Sequence, residues 1–572
     1  MKKTSLLLLA LCAFQLLTAQ DAEFQWAVSF GGIEQDDIED LVVDQSGNIY
    51  ASGRFEGTVD FDPGPGIFEL TAGGSIDSFI LKLNAQGEFL WALQIDNSTT
   101  VAIRSIELDP ASGDMYVSGN FQGSVDFDPG AGVAELTSEG DQDAYLLRLD
   151  ANGSFEWVRH IRSIDGYTYL RLVNMDADGD LLLVGWFYGT VDFDPGPGDF
   201  LLEDTSLPSF YDGFICKLTN QGDFIWAKQL SGDLLIWPLH VSTDTSGGVY
   251  TSGVYLGDCD FDPGSGTNVI NSVDNSSDGF IVKLDSDGNF EWAQTYGSEG
   301  NEYAEKAVIF SDDHVYITGG FTNTVDFNYG SGSTELTSNG DSDVYLVKLD
   351  TNGEFIWARQ FGGAGLDGVG SLTVDTSNRI YLTGRFEETV DFDPNSGTFE
   401  LTAFDDTDVF VCKLGPSGNL RWAKQIGGLN GEFPAGTNAI SLGNNGDVLV
   451  AGKYFETCDF DPGAGMFELE SNGLRDSFIV RLGQTLGVED ISEGLEIAIA
   501  PNPSSGEIRI DLGDSASGKL VIRNVLGQQI SSLNFKNSRF LDYYLPSENG
   551  LYFIEIFLNE MSTPVITTVI KK

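Results

Sequence analysis

The segment Val59-Asp-Phe-Asp-Pro-Gly64 returns at a nearly fixed step, and no other feature constrains the fold of this chain as strongly. Its counterparts begin at Val125, Val191, Cys259, Val325, Val390 and Cys458, and the fifth copy degrades to Asp326-Phe-Asn-Tyr. A tryptophan keeps the same step at Trp26, Trp91, Trp157, Trp226, Trp292, Trp357 and Trp422. So does an Asp-x-Phe/Tyr pair at Asp77, Asp143, Asp212, Asp278, Asp343, Asp408 and Asp476. A fixed period of this length means one supersecondary unit copied and stacked. Whatever all copies share is therefore scaffold, and a site is to be sought where the copies differ.

Each unit reads as four strands. In the first, Leu41-Val-Val-Asp44 leads through a Gln45-Ser-Gly-Asn48 turn to Ile49–Phe55. After the Asp-Phe-Asp-Pro connection, Phe79–Leu83 and Phe89–Leu93 flank an Asn84-Ala-Gln-Gly87 turn. Phe79, Leu81 and Leu83 alternate with Ile80 and Lys82, the period-2 mark of a strand. Asn, Asp, Ser and Gly fill turns that need left-handed backbone angles. No segment carries a capped helical period. The expected fold is all-β: a seven-bladed β-propeller of four-stranded blades. The last unit stops at Phe478–Leu482 without a Trp strand, and Glu23–Phe30 is an orphan Trp strand. Pairing these two would close the propeller and remove its open edges.

Composition narrows the function. Lys and Arg total 30 against 87 Asp and Glu, a net charge of −57, which excludes a nucleic-acid partner on electrostatic grounds. The three histidines, His160, His240 and His314, fall in separate units, against a multi-histidine zinc site. Lys2 and Lys3, the apolar run Leu6 to Leu17 and Leu17-Thr-Ala-Gln20 read as a secretion leader cleaved after Ala19. Beyond it no run approaches the ~20 apolar residues of a membrane helix, so no transmembrane segment is expected after leader removal. The expected organisation is a leader at 1–19, the repeats at 20–483, a link at 484–494 and a second module at 495–572.

Two resemblances follow from these residues. Phe30-Gly-Gly with Asp36-Asp37, Gly47-Asn-Ile-Tyr-Ala-Ser-Gly53 and Asp77-Ser-Phe-Ile-Leu-Lys-Leu83 resemble the SBBP-type β-propeller repeat, from about Asp21 to Gly483. Units two, three and four lack its Phe-Gly-Gly, and the family implies no single activity. In the tail, Ala500-Pro-Asn-Pro-Ser-Ser-Gly506, then Asn524-Val-Leu-Gly527, Gly550-Leu-Tyr552 and terminal Lys571-Lys572 resemble the type A sorting domain of type IX secretion in Bacteroidota-like bacteria. Asn524 stands where an Asp is common. This resemblance implies a small antiparallel sandwich, the type IX machinery as partner, and export across the outer membrane. An accessory adhesive sandwich is the alternative.

Three sets of residues are candidates for chemistry. The Asp-x-Asp pairs (Asp60 and Asp62, Asp126 and Asp128, Asp192 and Asp194, Asp260 and Asp262, Asp391 and Asp393, Asp459 and Asp461) place two carboxylates on one side of an extended chain. They suit calcium, which takes six to eight oxygens; the alternative is Asx turn chemistry before Pro-Gly. Asp176-Ala-Asp-Gly-Asp180 has a calcium-loop spacing, but its twelfth position is Phe187 rather than Glu. Among the cysteines, Cys216 and Cys412 share one place in their units and Cys259 and Cys458 share another. Secretion permits bridges Cys216–Cys259 and Cys412–Cys458 between adjacent blades, with buried free thiols as the alternative.

The third set comes from units three and four, which depart most from the repeat. They supply Arg162, Tyr167, Tyr169, Trp237 and His240, besides the additional Trp186. These are expected on one arc of the loop-bearing face, where aromatic and planar polar groups suit a sugar or a peptide; drift of packed residues is the alternative. No Gly-x-Ser-x-Gly, His-Glu-x-x-His or phosphate loop is present, and Asp165 and Asp233 fit only loosely the pattern of an acid absent from sister units. The expected function is a secreted or surface-displayed, non-enzymatic binding protein for polysaccharide or protein. A polysaccharide-cleaving enzyme and a structural surface protein without a discrete ligand are the alternatives.

Overall fold

The computed structural model describes residues 22–95, 100–208, 210–310, 314–328, 330, 332–404, 406–428, 436–484, 498–500, 504, 506–524, 528–545, 550–558 and 565–571. The expected leader lies outside them. The chain forms two compact units, Ala22–Gly483 and one that takes in Gln484–Lys572.

Ala22–Gly483 is built of antiparallel sheets, with a single 3-10 turn, Val273–Asn275, among the described residues. Four strands recur in one order. In unit one they are Asp37–Val43, Ile49–Phe55, Asp77–Leu83 and Phe89–Ile95. Unit three repeats this with Tyr167–Met175, Leu181–Tyr188, Asp212–Leu218 and Phe224–Gly232. The seventh such sheet takes Gly436–Leu442, Val448–Tyr454 and Asp476–Gln484, and its fourth strand is Ala22–Phe30 from the start of the chain. The first strand of each unit packs on the first two strands of the unit before it, and that of unit one packs in the same way on unit seven.

The third strands are buried on both faces rather than one. Phe79, Leu81 and Leu83 lie in an apolar layer shared with Leu449, Ala451 and Ile479 of unit seven. Ile80, on the opposite face, lies in the layer shared with Val117 and Leu147 of unit two. A layer of this kind separates every successive pair of units. Fully burying one such side chain stabilises the fold by roughly 1.5–3 kcal/mol.

The Asp-Phe-Asp-Pro segment ties neighbouring units together. In units three, four and seven its short strand pairs with the last strand of the unit before, Arg162 opposite Asp192, Ser231 opposite Asp260 and Gly427 opposite Asp459, whereas in units one, two, five and six it forms a two-stranded hairpin of its own. Its phenylalanine turns back into its own unit; Phe61 is fully buried, edge-on to Phe55 and tilted on Phe79. The aspartate that opens each third strand is buried and accepts backbone N–H groups from the loop before it, as Asp77 does from Gly73 and Asp343 from Asn339. The tryptophans bridge units from the other end: Trp226 and Trp292 donate Nε1–H to Ser286 and Thr351 carbonyls of the next unit's turn, both at 3.2 Å.

The second compact unit is an antiparallel sheet with strands Ala498–Ala500, Glu507–Asn524, Gln529–Tyr544, Gly550–Leu558 and Val565–Lys571. Register breaks between Asp511 and Ala516 divide the long second strand, yet Ile508 and Ile510 from one half share a core with Leu520 and Ile522 from the other.

Candidate functional site

One irregularity, repeated in every unit, builds the site. The first strand carries a β-bulge against the second, which leaves one residue unpaired: Glu39, Arg104, Arg171, Leu239, Glu305, Gly370 and Asn438 in units one to seven. A bulge re-aims a side chain. The repeated glycine of the second strand makes it sterically feasible. A Cβ on Gly53, Gly119, Gly185 or Gly253 would stand 1.9–2.0 Å from the carbonyl oxygen of Asp37, Ala102, Tyr169 or Trp237, two residues before the bulged one. Six of the seven bulged residues line one cavity of about 460 Å³, to which all seven units contribute.

The charges in this cavity differ from those of the chain as a whole. Arg54, Arg104, Arg171 and Lys453 line it together with Asp37, Glu39 and Asp40. The acids cluster on unit one and are engaged. Asp37 pairs with Arg54 at 2.7 Å and with Arg475. Asp40 accepts from Ser105 Oγ at 3.0 Å and from Ile106 N at 3.1 Å. Glu39 lies 3.6 Å from Arg104 and 3.9 Å from Arg54. On the other side Arg171 has no ion pair or hydrogen bond among the described residues. Lys453 likewise makes none, and burial holds its pKa below the usual lysine value.

An aromatic row runs on from the cavity. Tyr169 stacks on Trp186 at 4.2 Å, Trp186 on Trp237 at 5.4 Å, and Tyr167 on Tyr188 at 5.8 Å; Tyr211 reaches both Tyr167 and Trp237. All six are partly exposed. The guanidinium of Arg104 lies 4.9 Å over the Tyr169 ring, which joins row and cavity. Arg171 and Leu239 follow Tyr169 and Trp237 by two residues on the same strands.

Tyr167, Tyr169 and Trp237 lie in this one row, and His240 lines the cavity beside it. Arg162 does not join them. It sits on the last strand of unit two, at the outer edge, where it pairs with Asp192 and lies 3.5 Å from Asp199. Sequence reasoning missed Tyr188, Tyr211, Arg104, Arg171 and Lys453. One signal was available: Trp186 and Lys453 directly follow the repeated glycine, where the other units carry Arg54, Asn120, Val254, Gly320 and Arg385.

The other expectations meet different geometry. Asp60, Asp126, Asp192, Asp260, Asp391 and Asp459 each accept two backbone N–H groups, from two and eight residues on, at 2.7–3.1 Å. Asp62, Asp128, Asp194, Asp262, Asp393 and Asp461 each accept one, from two residues on, at 2.8–3.0 Å. These are Asx turns, with N–H dipoles aimed at the oxygens a calcium ion would need. Among the described residues no three His, Cys, Asp or Glu side chains are grouped to hold a metal. Asp176 likewise closes a hairpin turn and pairs with Lys217 at 2.8 Å. Asp165 and Asp233 accept the N–H groups of Thr190 and Asp258, the first residues of the short strands Thr190–Asp192 and Asp258–Asp260.

The bridges Cys216–Cys259 and Cys412–Cys458 are not formed; all four thiols are free and buried. Alternation across a strand is the reason. Cys216 shares a face with Phe214, in the layer between units two and three, whereas Cys259 packs on the Ile215 face, between units three and four. Cys412 and Cys458 are divided in the same way by the Asp408–Leu414 strand.

The chain is 23% identical over 507 residues to an uncharacterized WD repeat-containing protein of Acanthamoeba polyphaga mimivirus, covering 74% of this chain and 36% of that protein. It is 26% identical over 151 residues to Regulatory protein FlaEY of Caulobacter vibrioides, covering 26% of this chain and 15% of that protein. It therefore spans little more than a third of the length of these curated relatives, or less. Among solved structures, a protein of unknown function from Bacteroides caccae aligns with TM-score 0.20 and 12% identity over 49% of this chain and 94% of that one. A glycoside hydrolase family 43 arabinoxylan arabinofuranohydrolase from Bacillus subtilis aligns with TM-score 0.25 and 11% identity over 95% and 96%. Both scores are too low to bear on fold or function. The tail gives a firm answer: residues 498–572 match the family described as the secretion system C-terminal sorting domain, which marks this protein for type IX secretion across the outer membrane to the cell surface or extracellular space.

Proposed function

We propose that this secreted protein is a non-enzymatic polysaccharide-binding protein. In this reading residues 20–483 form a closed seven-bladed propeller of the SBBP type, 484–494 a link and 495–572 the sorting module. Closure is supported by the Ala22–Phe30 strand within the last sheet and by contacts between units seven and one, such as Asn438 Nδ2–H to the Ile38 carbonyl at 2.5 Å. The observation that carries the function is the aromatic row, confined to units three and four and partly open to solvent. Rings held by strands and by one another form a preorganised, partly exposed aromatic surface at little conformational cost, which suits the apolar patches of sugar rings. Asp165 and Asp233, the acids nearest to a catalytic pattern, each hold the N–H that opens a short strand, at Thr190 and Asp258, which favours a structural role for them and binding over cleavage.

The test is a glycan array with the secreted chain, run beside an assay for new reducing ends. Retention of a polysaccharide, lost in Trp237→Ala, is expected. Retention of protein ligands alone would overturn the saccharide reading, and release of reducing ends would overturn the non-enzymatic one.

A further inference from the structure

The cavity beside the aromatic row has a chemistry that the row does not explain. Four of its lining residues are Arg or Lys, in a chain with 30 such residues against 87 acids. Two of these cations, Arg104 and Arg171, occupy the bulge position of adjacent units, so the same backbone device aims both at one space. They are not held as fold-stabilising ion pairs. Arg171 has no partner among the described residues. Arg104 has one ion-pair partner, Glu39, at 3.6 Å, and lies 4.9 Å over the Tyr169 ring. The acids in the cavity do not cancel this, because Asp37 and Asp40 are tied to unit-one and unit-two partners.

We propose that the cavity receives an anionic sugar. An acid group of the bound saccharide, a carboxylate or a sulfate ester, sits between Arg104 and Arg171, and the sugar rings rest along the exposed side of the row formed by Tyr169, Trp186 and Trp237. The proposal rests on the polysaccharide reading and specifies its ligand. Planar guanidinium groups bind such oxyanions in paired, charge-assisted hydrogen bonds. Size restricts the ligand further. About 460 Å³ lies in the lower part of the ~300–1,000 Å³ range of small-ligand pockets, so the cavity takes a chain end or a short acidic segment rather than a long polymer. The net charge of −57 favours the same mode, because an extended polyanion lying along the surface would be repelled.

Calorimetry on the secreted full chain tests this with four probes: oligogalacturonate, its methyl ester, a sulfated galactan oligosaccharide and neutral cello-oligosaccharide. At least one acidic probe is expected to bind tenfold or more tighter than both neutral ones, and the uronate and sulfate arms tell which acid is read. Arg171→Gln, which removes no contact holding the fold, is expected to weaken that binding at least fivefold. Adding Arg104→Gln is expected to weaken it at least twentyfold, with an unchanged unfolding temperature. If the neutral probes bind as tightly, or both variants bind as the parent does, the anionic inference is wrong while the saccharide reading stands. If no saccharide binds at all, both are wrong.

Discussion

Within each unit, two neighbouring positions behave in opposite ways. The second strand carries a glycine in all seven units: Gly53, Gly119, Gly185, Gly253, Gly319, Gly384 and Gly452. Across from it, the bulged residue of the first strand is an acid, a cation, leucine, glycine or asparagine depending on the unit. The glycine is fixed because a carbonyl occupies the space of its Cβ. The bulged position is free to vary because six of the seven line a cavity rather than a packed layer. The same contrast holds at larger scale between the Asp-Phe-Asp-Pro hairpins, alike in nearly every unit, and the aromatic row, present in two. Repetition marks what holds the fold, and variation marks the surface proposed to face a ligand.

The largest effects should fall on the repeated positions. Phe61→Ala empties a fully buried site among Phe30, Phe55 and Phe79 and should lower stability by roughly 3–5 kcal/mol, read by chemical unfolding. Gly185→Ala drives a methyl into the Tyr169 carbonyl and should also destabilise by several times the roughly 0.5 kcal/mol of a surface change. A Phe61→Ala protein as stable as the parent would break the contrast from the scaffold side. At the variable positions the balance reverses: Trp237→Ala should weaken saccharide binding about tenfold or more, while the unfolding midpoint moves far less than in Phe61→Ala.

A smaller effect concerns pH. Asp36 and Asp367 occupy equivalent loops, and burial pushes both carboxyls up to about 6, against backbone N–H bonds from Gly32 and Gly363 that lower them. Such a group holds its proton in the folded chain where the unfolded chain, near 3.8, has lost it. Its contribution to stability is full below the unfolded value and is lost as pH rises through about 6. The double variant Asp36→Asn, Asp367→Asn should therefore show a flatter stability profile than the parent between pH 4 and pH 7. An unchanged slope would show that burial does not control these groups. The smallest effect is expected at the thiols. Cys259→Val installs the residue found in five sister units and should change stability by less than about 1 kcal/mol. Four thiols should react with an alkylating agent after unfolding under non-reducing conditions.

Much of the fold was legible because the period fixes which strands recur, and Trp26 without a partner points to the strand ending at Leu482. The sites were less legible for one physical reason. Period-2 alternation assumes an uninterrupted ladder, and a bulge shifts the register without leaving a mark in hydrophobicity. Nothing in the alternation of the strands therefore singles out Arg104 and Arg171. Alternation also explains the bridge error, since Cys216 and Cys259 lie on opposite sides of the Asp212–Leu218 strand. Arg162 failed differently: a sequence boundary drawn at the loop assigned it to unit three, whereas its strand belongs to unit two.

Hydrogen–deuterium exchange of the secreted chain, with and without its acidic oligosaccharide, tests the contrast most directly. Slowed exchange is expected in Val101–Leu108, Tyr167–Met175 and Leu235–Thr243, with Thr58–Asp60 and its sister hairpin strands unchanged. Protection in the hairpin strands, with those three first strands unaffected, would contradict the account.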